Sequence, residues 1–512
     1  MPINLINDAW IPARTRSGAI RKICPAEAAD PEFAMLAMPR SDLNCALTEF
    51  LIALLTTAAA PANEEAWTLW WQSPPTPQQL NALLASHAHA FDLSAFMQVP
   101  LECKAESIEG LLIDAPGEQT KDKNADFLSR AGTVAALSPS AAAASVIALQ
   151  SYATQGGRGY ATSIRGGGPL STLVMSGSTL WGRLWPNVET REQIVERAVG
   201  GYSDAHDAIY PWLSQWHGGE VTPDGANPLL VYWSMPRRIQ LMLSPGNGEA
   251  CSITGERPDA LVRECRIESG IKYAGWQHPL TPYWRRHSTD QWLPRRGRVD
   301  RIGYRDWLGL VQSTSDDLQM PARAVAHARA HRWQIHDARL AAYGYVTKSA
   351  LVIGWGEGEM PLLQVSPDIC QELERTAHSL VDTADLAADA LGKAVHEAGG
   401  PRRATTYWEA TEPHYWRALG DAVRLLETSD ADDPVVPVRE AWIVALRSAA
   451  YEAFDRACPL DLDHGGHLGR VVVARHGLAQ TLRGYGKRGQ ALCGALGIAP
   501  PETAAVRTRK AR

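Results

Sequence analysis

The sequence lacks the patterns that mark membrane, secreted and disulfide-framework proteins. No run of about 18 uncharged apolar residues, the length that a membrane span needs, occurs in it, and the longest candidate, residues 46–62, carries Glu49 and ends near Pro61. The first residues show no basic region followed by an apolar one, so we expect no signal peptide. Eight cysteines are scattered without a C-x-x-C pair, which is typical of reduced thiols. These absences predict a cytoplasmic protein with no membrane partner.

Nucleotide-binding and nucleophile motifs are also missing. Residues 154–174, TQGGRGYATSIRGGGPLSTLV, hold six glycines and two arginines in their first fifteen positions, yet complete neither G-x-G-x-x-G nor a P-loop. The chain has no G-x-S-x-G and no papain-like or caspase-like cysteine signature. What remains is a glycine-rich segment whose Arg158 and Arg165 suggest an anionic contact.

The chain is not basic overall, with a formal net charge of −6. Free-standing nucleic-acid-binding domains are usually much more basic, so such a role has to depend on local patches or on a partner that neutralises phosphates. Local basic clusters do occur, and each could equally be an ordinary solvated surface. They are Arg237 and Arg238, then Arg263, Arg266 and Lys272, and the arginines of residues 281–301. Together they favour a surface that meets a phosphate backbone.

The pattern of apolar residues predicts an α+β protein, with a large irregular mixed α/β domain over residues 1–365. We expect a β-hairpin over residues 3–23 that turns at Ser17 and Gly18, and a helix from residue 41 with Ser41 as its N-cap. Another helix, over residues 138–152, leads into the glycine-rich segment. Strands are expected over residues 169–185, 228–243 and 349–363.

After Pro367 the pattern becomes helical. Four long amphipathic segments, at about 366–400, 404–428, 434–457 and 465–497, are separated by mostly short breaks. They predict a C-terminal antiparallel four-helix bundle over residues 366–500, followed by a basic disordered tail, 501–512.

Two histidine-containing groups leave a metal-dependent nuclease open as an alternative function. His327 and His331 stand four residues apart, but no glutamate lies between them as in H-E-x-x-H, and arginines crowd the segment. The second group combines Asp461, Asp463, His464 and His467 at the start of a predicted helix, where aspartates commonly serve as caps. We predict no cofactor and no bound metal.

Seven ordered motifs resemble one protein family. They are NLINDAWIPARTRSG, FMQ, RGYATSIRGGGPLSTLV, PLLVYWSMPRRIQL, YAGWQHPLTPYWR, YRDWLGLV and YGYVTKSALVIGWGEGEMPLL. In this order they resemble the CasA family, the large subunits of the type I-E CRISPR surveillance complex Cascade. The resemblance extends over most of the chain.

The resemblance implies a DNA-recognition subunit without catalytic activity, in which a guide RNA supplies sequence specificity. Such a subunit reads the protospacer-adjacent motif on double-stranded DNA through the minor groove, opens the first base pairs for R-loop formation and recruits a helicase-nuclease in antiviral defence. The implied partners are the other Cascade subunits, the guide RNA (crRNA), double-stranded target DNA and the helicase-nuclease. A protein that reads the short motif while base pairing reads the rest is known in another RNA-guided effector.

The resemblance also assigns candidate DNA-binding residues. The family's glycine loop corresponds to Gln155, Gly156, Gly157, Arg158 and Gly159. Its lysine finger aligns with apolar Ile267, so the basic role passes to Arg266, with Arg263 and Lys272 as substitutes. Its wedge hairpin has Thr347, Lys348 and Ser349 at the tip, where some relatives carry glutamine. Its motif-contacting loop corresponds to Phe127, Ser129 and Arg130.

One further alternative remains open. The chain could be a purely architectural subunit in which the glycine loop is only a tight turn.

Some relatives have clustered cysteines near positions 138–141 and 251–254, whereas this chain has Ser138 and only Cys251 there, so we expect no zinc site.

Overall fold

A computed structural model of the chain describes residues 3–116, 130–154, 160–214, 219–298, 302–314, 316–332, 334–348, 351–363, 365–400, 405–459 and 465–501. The chain divides into two compact units. The first comprises the chain up to Ile302 together with Gly309–Leu362, and the second comprises Gly303–Leu308 and the chain from Leu363 onward. In the described residues, no helix is both long and apolar enough to cross a membrane.

Small antiparallel sheets and short helices build the first unit. Its strands are β1 Ile11–Thr15, β2 Ile20–Ile23, β3 Phe33–Leu36, β4 Glu106–Ser107, β5 Leu170–Met175, β6 Glu220–Val221, β7 Arg237–Pro245, β8 Ala260–Ser269, β9 Lys272–Tyr273, β10 Tyr283–Trp284, β11 Leu293–Pro294, β12 Gln319–Met320, β13 Arg339–Lys348 and β14 Leu351–Pro361. They pair in the orders β2-β1-β3, β4-β8-β7, β14-β13-β5 and β11-β10-β12, while β6 and β9 pair in parallel.

The helices of this unit alternate with the strands along the chain. They are α1 Ser41–Ala58, α2 Glu64–Gln72, α3 Pro77–Leu84, α4 Pro139–Tyr152, α5 Leu180–Leu184, α6 Arg191–Glu196 and α7 His206–Ile209, followed by α8 Tyr304–Val311, which the unit boundary crosses, and α9 Arg323–His331. The alanine-rich α4 begins where Ser138 accepts a hydrogen bond from the backbone of Ala141 and where Pro139 takes the first helical position. Both features are typical of helix N-termini.

Long helices form most of the second unit. They are α10 Cys370–Ala398, α11 Thr405–Thr428, α12 Val436–Ala457, α13 Gly465–Leu482 and α14 Gly486–Leu496. The Trp442 indole of α12 donates to the carbonyl of Leu380 in α10 at 2.9 Å, and the Tyr407 hydroxyl of α11 donates to that of Ala384 at 3.1 Å. Helix α10 ends at Ala398 and is capped by Gly399, whose φ of +86° is typical of a glycine at a helix C-terminus.

The mixed fold with C-terminal helices is confirmed; the arrangement of those helices as a four-helix bundle stays a prediction. The fourth predicted helix is two helices, because Gly484 adopts a φ of +95° between them. Residues 228–232 form a 3-10 turn rather than the start of a strand, and the strand predicted over 169–185 ends at Met175. Helix α1 has Arg40 rather than Ser41 at its N-cap.

Candidate nucleic-acid interface

A long β-hairpin, β13–β14, carries the predicted wedge. Its register pairs Thr347 with Val352 and Lys348 with Leu351, and residues 349 and 350 lie outside the described part of the chain. The other edge of β13 pairs with β5, so one strand of the hairpin is fixed in a sheet. The predicted hairpin is therefore present, and Ser349 and the side chain of Lys348 lie outside the described residues.

Aromatic rings and a buried carboxylate hold the hairpin. The Trp355 ring meets the Tyr345 ring edge-on at 4.9 Å and stacks on Tyr343 at 5.9 Å. The Tyr345 hydroxyl donates to Asp42, whose other oxygen accepts from the Arg40 guanidinium at 3.0 Å. Burial and the neighbouring carboxylate raise the pKa of Tyr345 well above its ordinary value. This tyrosine therefore stays a neutral hydrogen-bond donor.

Two other segments of the chain come close to the β13–β14 hairpin at a glycine, one at Gly168 and the other at Gly297. A Cβ atom added to Gly168, whose φ is +66°, would lie 2.6 Å from Cγ2 of Thr347. One added to Gly297 would lie 2.9 Å from the carbonyl oxygen of Tyr345, and Gly344 of the hairpin itself faces the carbonyl of Pro169 at 2.5 Å. A side chain at any of these positions would collide with its neighbours, so Gly168 serves close packing against the hairpin.

Basic residues lie next to these close contacts with the hairpin. The backbone of Leu170 donates to the carbonyl of Arg295 at 2.8 Å, and Pro169 bridges to Arg296. The side chains of Arg296 and Arg298 are exposed beside the hairpin. Arg285, by contrast, pairs with Asp317 and lies 4.3 Å from the Trp292 ring. The cluster predicted from residues 281–301 thus contributes exposed cations next to the hairpin, although not from every member.

The predicted glycine loop, comprising Gln155, Gly156, Gly157, Arg158 and Gly159, lies outside the described residues, but its two ends are described. The backbone of Ser163 donates to the carbonyl of Ala153 at 3.0 Å. The Arg237 guanidinium donates to the carbonyl of Thr154 at 2.7 Å and also to that of Ala161. The ends of the segment therefore meet over one buried arginine.

Arg165 corrects an expectation from the sequence. Its side chain is 4% exposed and pairs with Glu49, which is also 4% exposed. It donates to the Ser171 hydroxyl at 2.7 Å, and the Tyr152 hydroxyl donates to Glu49 at 2.8 Å. A guanidinium enclosed in this way is committed to the fold, so Arg165 does not face an external anion.

The basic candidates on β8 and β9 do not converge on one point. Arg266 donates to the side-chain oxygen of Gln240 at 3.0 Å, whereas Arg263 pairs with Glu249 at 3.1 Å. At about 3.3 Å per strand residue, the Cα atoms of these two arginines lie about 10 Å apart along β8. Lys272 is exposed on β9. Ile267, aligned with the family's finger, is 9% exposed, which suits an apolar core position.

The predicted motif-contacting loop is described only at its end. Phe127 and Ser129 lie outside the described residues, and Arg130 is exposed. Beyond it, the Gly132 amide donates to the carboxylate of buried Glu109 at 3.0 Å. On the other side of the loop, Asp114 pairs with Arg40 at 2.9 Å, the arginine that also holds Asp42.

One member of the histidine pair, His327, is engaged within the protein. His327 lies 2.8 Å from the Glu64 carboxylate, which also pairs with Arg332 at 3.1 Å. Although partial burial alone raises the pKa of Glu64, the hydrogen bonds from His327 and Arg332 lower it to about 2. Within the described parts of the chain, no group of three or more histidine, cysteine or acidic residues could hold a metal ion. Asp461, Asp463, His464 and the side chain of His467 fall outside the described residues.

Sequence reasoning missed the residues that support the hairpin and the glycine segment. Asp42 and Tyr345 carried no signal beyond ordinary helix and strand patterns. In the sequence Arg237 belongs to a basic cluster, and its charge favours a surface position. Its neighbours Pro236 and Ile239 indicate a buried strand start, since β7 alternates buried and part-buried residues.

Comparison with known proteins identifies the class to which this fold belongs. Residues 4–453 match the family model of the CRISPR-associated protein Cse1. The chain belongs to this family.

Solved structures with the same fold include three similar chains. CasA (Cse1) of Thermus thermophilus is 20% identical with a TM-score of 0.67, covering 94% of this chain and 100% of that one. Cse1 of Thermobifida fusca is 18% identical with a TM-score of 0.69, covering 98% and 99%. A chain of a CRISPR RNA-guided surveillance complex is 16% identical with a TM-score of 0.66, covering 93% and 99%. At these identities the similarity shows a shared fold.

Proposed function

We propose that the chain is the large subunit of a type I-E CRISPR RNA-guided surveillance complex. In that complex it recognises the protospacer-adjacent motif of double-stranded DNA, starts strand separation and recruits the helicase-nuclease. The observation that carries the proposal is membership of the Cse1 family over residues 4–453. A chain of one structure with the same fold comes from a CRISPR RNA-guided surveillance complex.

The hairpin supports the strand-opening part of the proposal. A wedge inserted between base pairs has to resist the stacking energy of a few kcal/mol per step. Strand β13 of the β13–β14 hairpin pairs with β5. Contacts among the rings of Tyr343, Tyr345 and Trp355 link the two strands of the hairpin. Exposed Arg296 and Arg298 beside it suit contact with the phosphates that flank an opened step.

The chain acts in this proposal without catalysis of its own, and other subunits with the guide RNA supply most of the phosphate neutralisation. A net charge of −6 fits such a division, because long-range attraction then depends on local patches. The nuclease alternative is weaker because His327 is held by Glu64 at 2.8 Å. The proposal includes recruitment of the helicase-nuclease, but it assigns no residues to the surface that would bind it.

Reconstitution tests the proposal. The complex is assembled with and without this subunit, and its affinity is measured for a guide-matched duplex with the motif, the same duplex without it, and a guide-matched DNA opened in advance. We expect the subunit to be required for motif-dependent binding of the closed duplex and dispensable for the opened one. Equal binding of both closed duplexes by the complete complex would contradict motif recognition, and DNA cleavage by the lone chain with a divalent metal would support the nuclease.

A further inference from the structure

The small sheet β11-β10-β12 presents an exposed tryptophan. Trp284 of β10 is 39% exposed, and the other tryptophans of the described residues are buried or half-buried. No aromatic ring or cation of the described residues packs on the Trp284 ring, whereas the nearby Trp292 ring lies 4.3 Å from the Arg285 guanidinium. An indole left open to solvent in this way is available to a ligand, because aromatic rings gain most when they are covered.

Trp284 shares its face of the sheet with Leu293. The two residues are opposite each other in the antiparallel register of β10 and β11, so their side chains project from the same face with Cβ atoms about 5 Å apart. Leu293 is 50% exposed, whereas Tyr283, the residue before Trp284, is buried. Trp284 and Leu293 therefore form an exposed apolar pair, which we call the Trp284 platform.

Hydrogen bonds fix the strand that carries the platform. The amide of Arg285 donates to the carbonyl of Leu318 at 2.9 Å. The amide of Arg295 donates to the carbonyl of Pro282, also at 2.9 Å. The Arg285 side chain adds a bond from Nε to the carbonyl of Asp317 at 2.8 Å. The platform is thus held in place before a ligand arrives, which reduces the entropy lost on binding.

Exposed cations flank the platform along the chain. The side chains of Arg286 and Arg296 are exposed, and neither forms an ion pair within the part of the chain that the structure describes. The neighbouring carboxylates are engaged, since Asp317 is ion-paired and Asp290 accepts a backbone amide bond at 3.1 Å. An open aromatic ring between unneutralised arginines suits a ligand that combines flat bases with phosphates.

The platform is close to the β13–β14 hairpin. Beyond Leu293, a Cβ atom added to Gly166 would lie 3.1 Å from Cγ of Pro294, and one added to Gly297 would lie 2.9 Å from the carbonyl oxygen of Tyr345. Four residues further along the chain reach at most about 14 Å, so Leu293 lies within about 20 Å of Tyr345. About six stacked nucleotides of one strand span that distance.

We propose that the Trp284 platform binds an unpaired base of a DNA strand separated at the hairpin, with Arg286 and Arg296 contacting the flanking phosphates. Every base has a π-face, so stacking on the indole is independent of sequence. The inference rests on the proposed function, because it takes the separated strand as the ligand. A strand held on the platform disfavours reclosure of the duplex.

The test measures binding of the full chain to a labelled oligo(dT), which does not pair with itself, by fluorescence anisotropy at about 50 mM salt. Trp284→Leu removes the flat ring and keeps an apolar side chain. Because base stacking is lost, we expect the dissociation constant to rise about tenfold. Trp284→Tyr keeps a ring and should stay within about threefold of the wild type.

The phosphate contact has its own variant and control. Arg296→Ala should reduce the slope of log affinity against log salt by about 0.7. Arg16→Ala removes an exposed arginine between β1 and β2 and should leave the slope nearly unchanged. Leu293→Glu places a carboxylate on the platform and should weaken binding as Trp284→Leu does, which gives a second variant if Trp284→Leu does not fold.

The outcomes separate the inference from the proposed function. No binding of oligo(dT) by the wild type, or equal binding by the wild type and Trp284→Leu, overturns the inference. Tighter binding of oligo(rU) than of oligo(dT) assigns the platform to RNA and also overturns it. Normal oligo(dT) binding by a Trp284→Leu variant that no longer assembles with the other subunits makes the platform a protein contact, against the inference. The proposed function is overturned instead by a wild-type complex that does not discriminate between closed duplexes with and without the motif.

Discussion

The close packing of Gly168 against the hairpin makes a quantitative prediction for Gly168→Ala. An alanine at a φ of +66° costs about 1–2 kcal/mol in backbone strain. Its Cβ would lie 2.6 Å from Cγ2 of Thr347, well inside ordinary van der Waals contact, and displacement of a packed side chain costs about 1–3 kcal/mol more. We therefore expect the free energy of unfolding to fall by about 2–5 kcal/mol in total.

The structure provides a matched control and a rescue. Gly177 has a φ of +69° with no atom within 4 Å of an added Cβ, so Gly177→Ala should cost only the backbone strain of about 1–2 kcal/mol. Thr347→Ala removes the atom that Gly168→Ala would strike. The double variant Gly168→Ala/Thr347→Ala should therefore approach the cost of the control.

Two assays measure the effect. Urea denaturation followed by tryptophan fluorescence gives the change in unfolding free energy. A fluorescent base analogue in the first base pairs beside the motif reports strand opening by the assembled complex, which should be slower with Gly168→Ala than with Gly177→Ala. Equal costs for the two alanine variants, or no recovery in the double variant, would refute the packing argument.

Two other predictions concern buried charges. Glu49→Gln should destabilise the protein by about 3–5 kcal/mol because it leaves Arg165 buried without its carboxylate, and Glu49→Gln/Arg165→Met should recover part of the loss; additive costs in urea denaturation would contradict this. Burial first, then repulsion from neighbouring histidines, lowers the pKa of His87 to about 4, below its unfolded value of about 6.5. The contribution of His87 to the free energy of unfolding is therefore fully present above about pH 6.5. It is lost as the pH falls toward 4, by up to about 3 kcal/mol. His87→Gln should flatten the unfolding free energy over this window, and an unchanged slope would contradict the assignment.

Much of the fold could be predicted because its signals are local. Alternating residues and a Ser-Gly turn predict the β1–β2 hairpin, which the structure confirms with Ile11 opposite Ile23. The strand pattern of residues 349–363 likewise predicts β14. The break at Gly484 is not predicted because glycine within a helical pattern is often tolerated; Gly486, two residues further on, is the signal that could have located it.

The candidate site was harder to predict, because its support comes from distant parts of the chain. Arg165 pairs with Glu49, which is 116 residues away in the sequence, and Arg237 donates a hydrogen bond to the carbonyl of Ala161, which is 76 residues away. A sequence pattern shows that these residues are charged but not which partners enclose them. From the sequence both arginines therefore fit a phosphate-facing surface, whereas the structure buries them.

The central claim, that this chain reads the motif and opens the duplex, is tested most directly by a motif series. The assembled complex is titrated with duplexes that share the guide-matched target and differ only in the adjacent motif, using the wild type, Arg266→Ala and Lys348→Ala. We predict that discrimination among motifs collapses in the variants while binding to pre-opened DNA persists. Unaffected discrimination in both variants would contradict the assignment of motif reading to these positions.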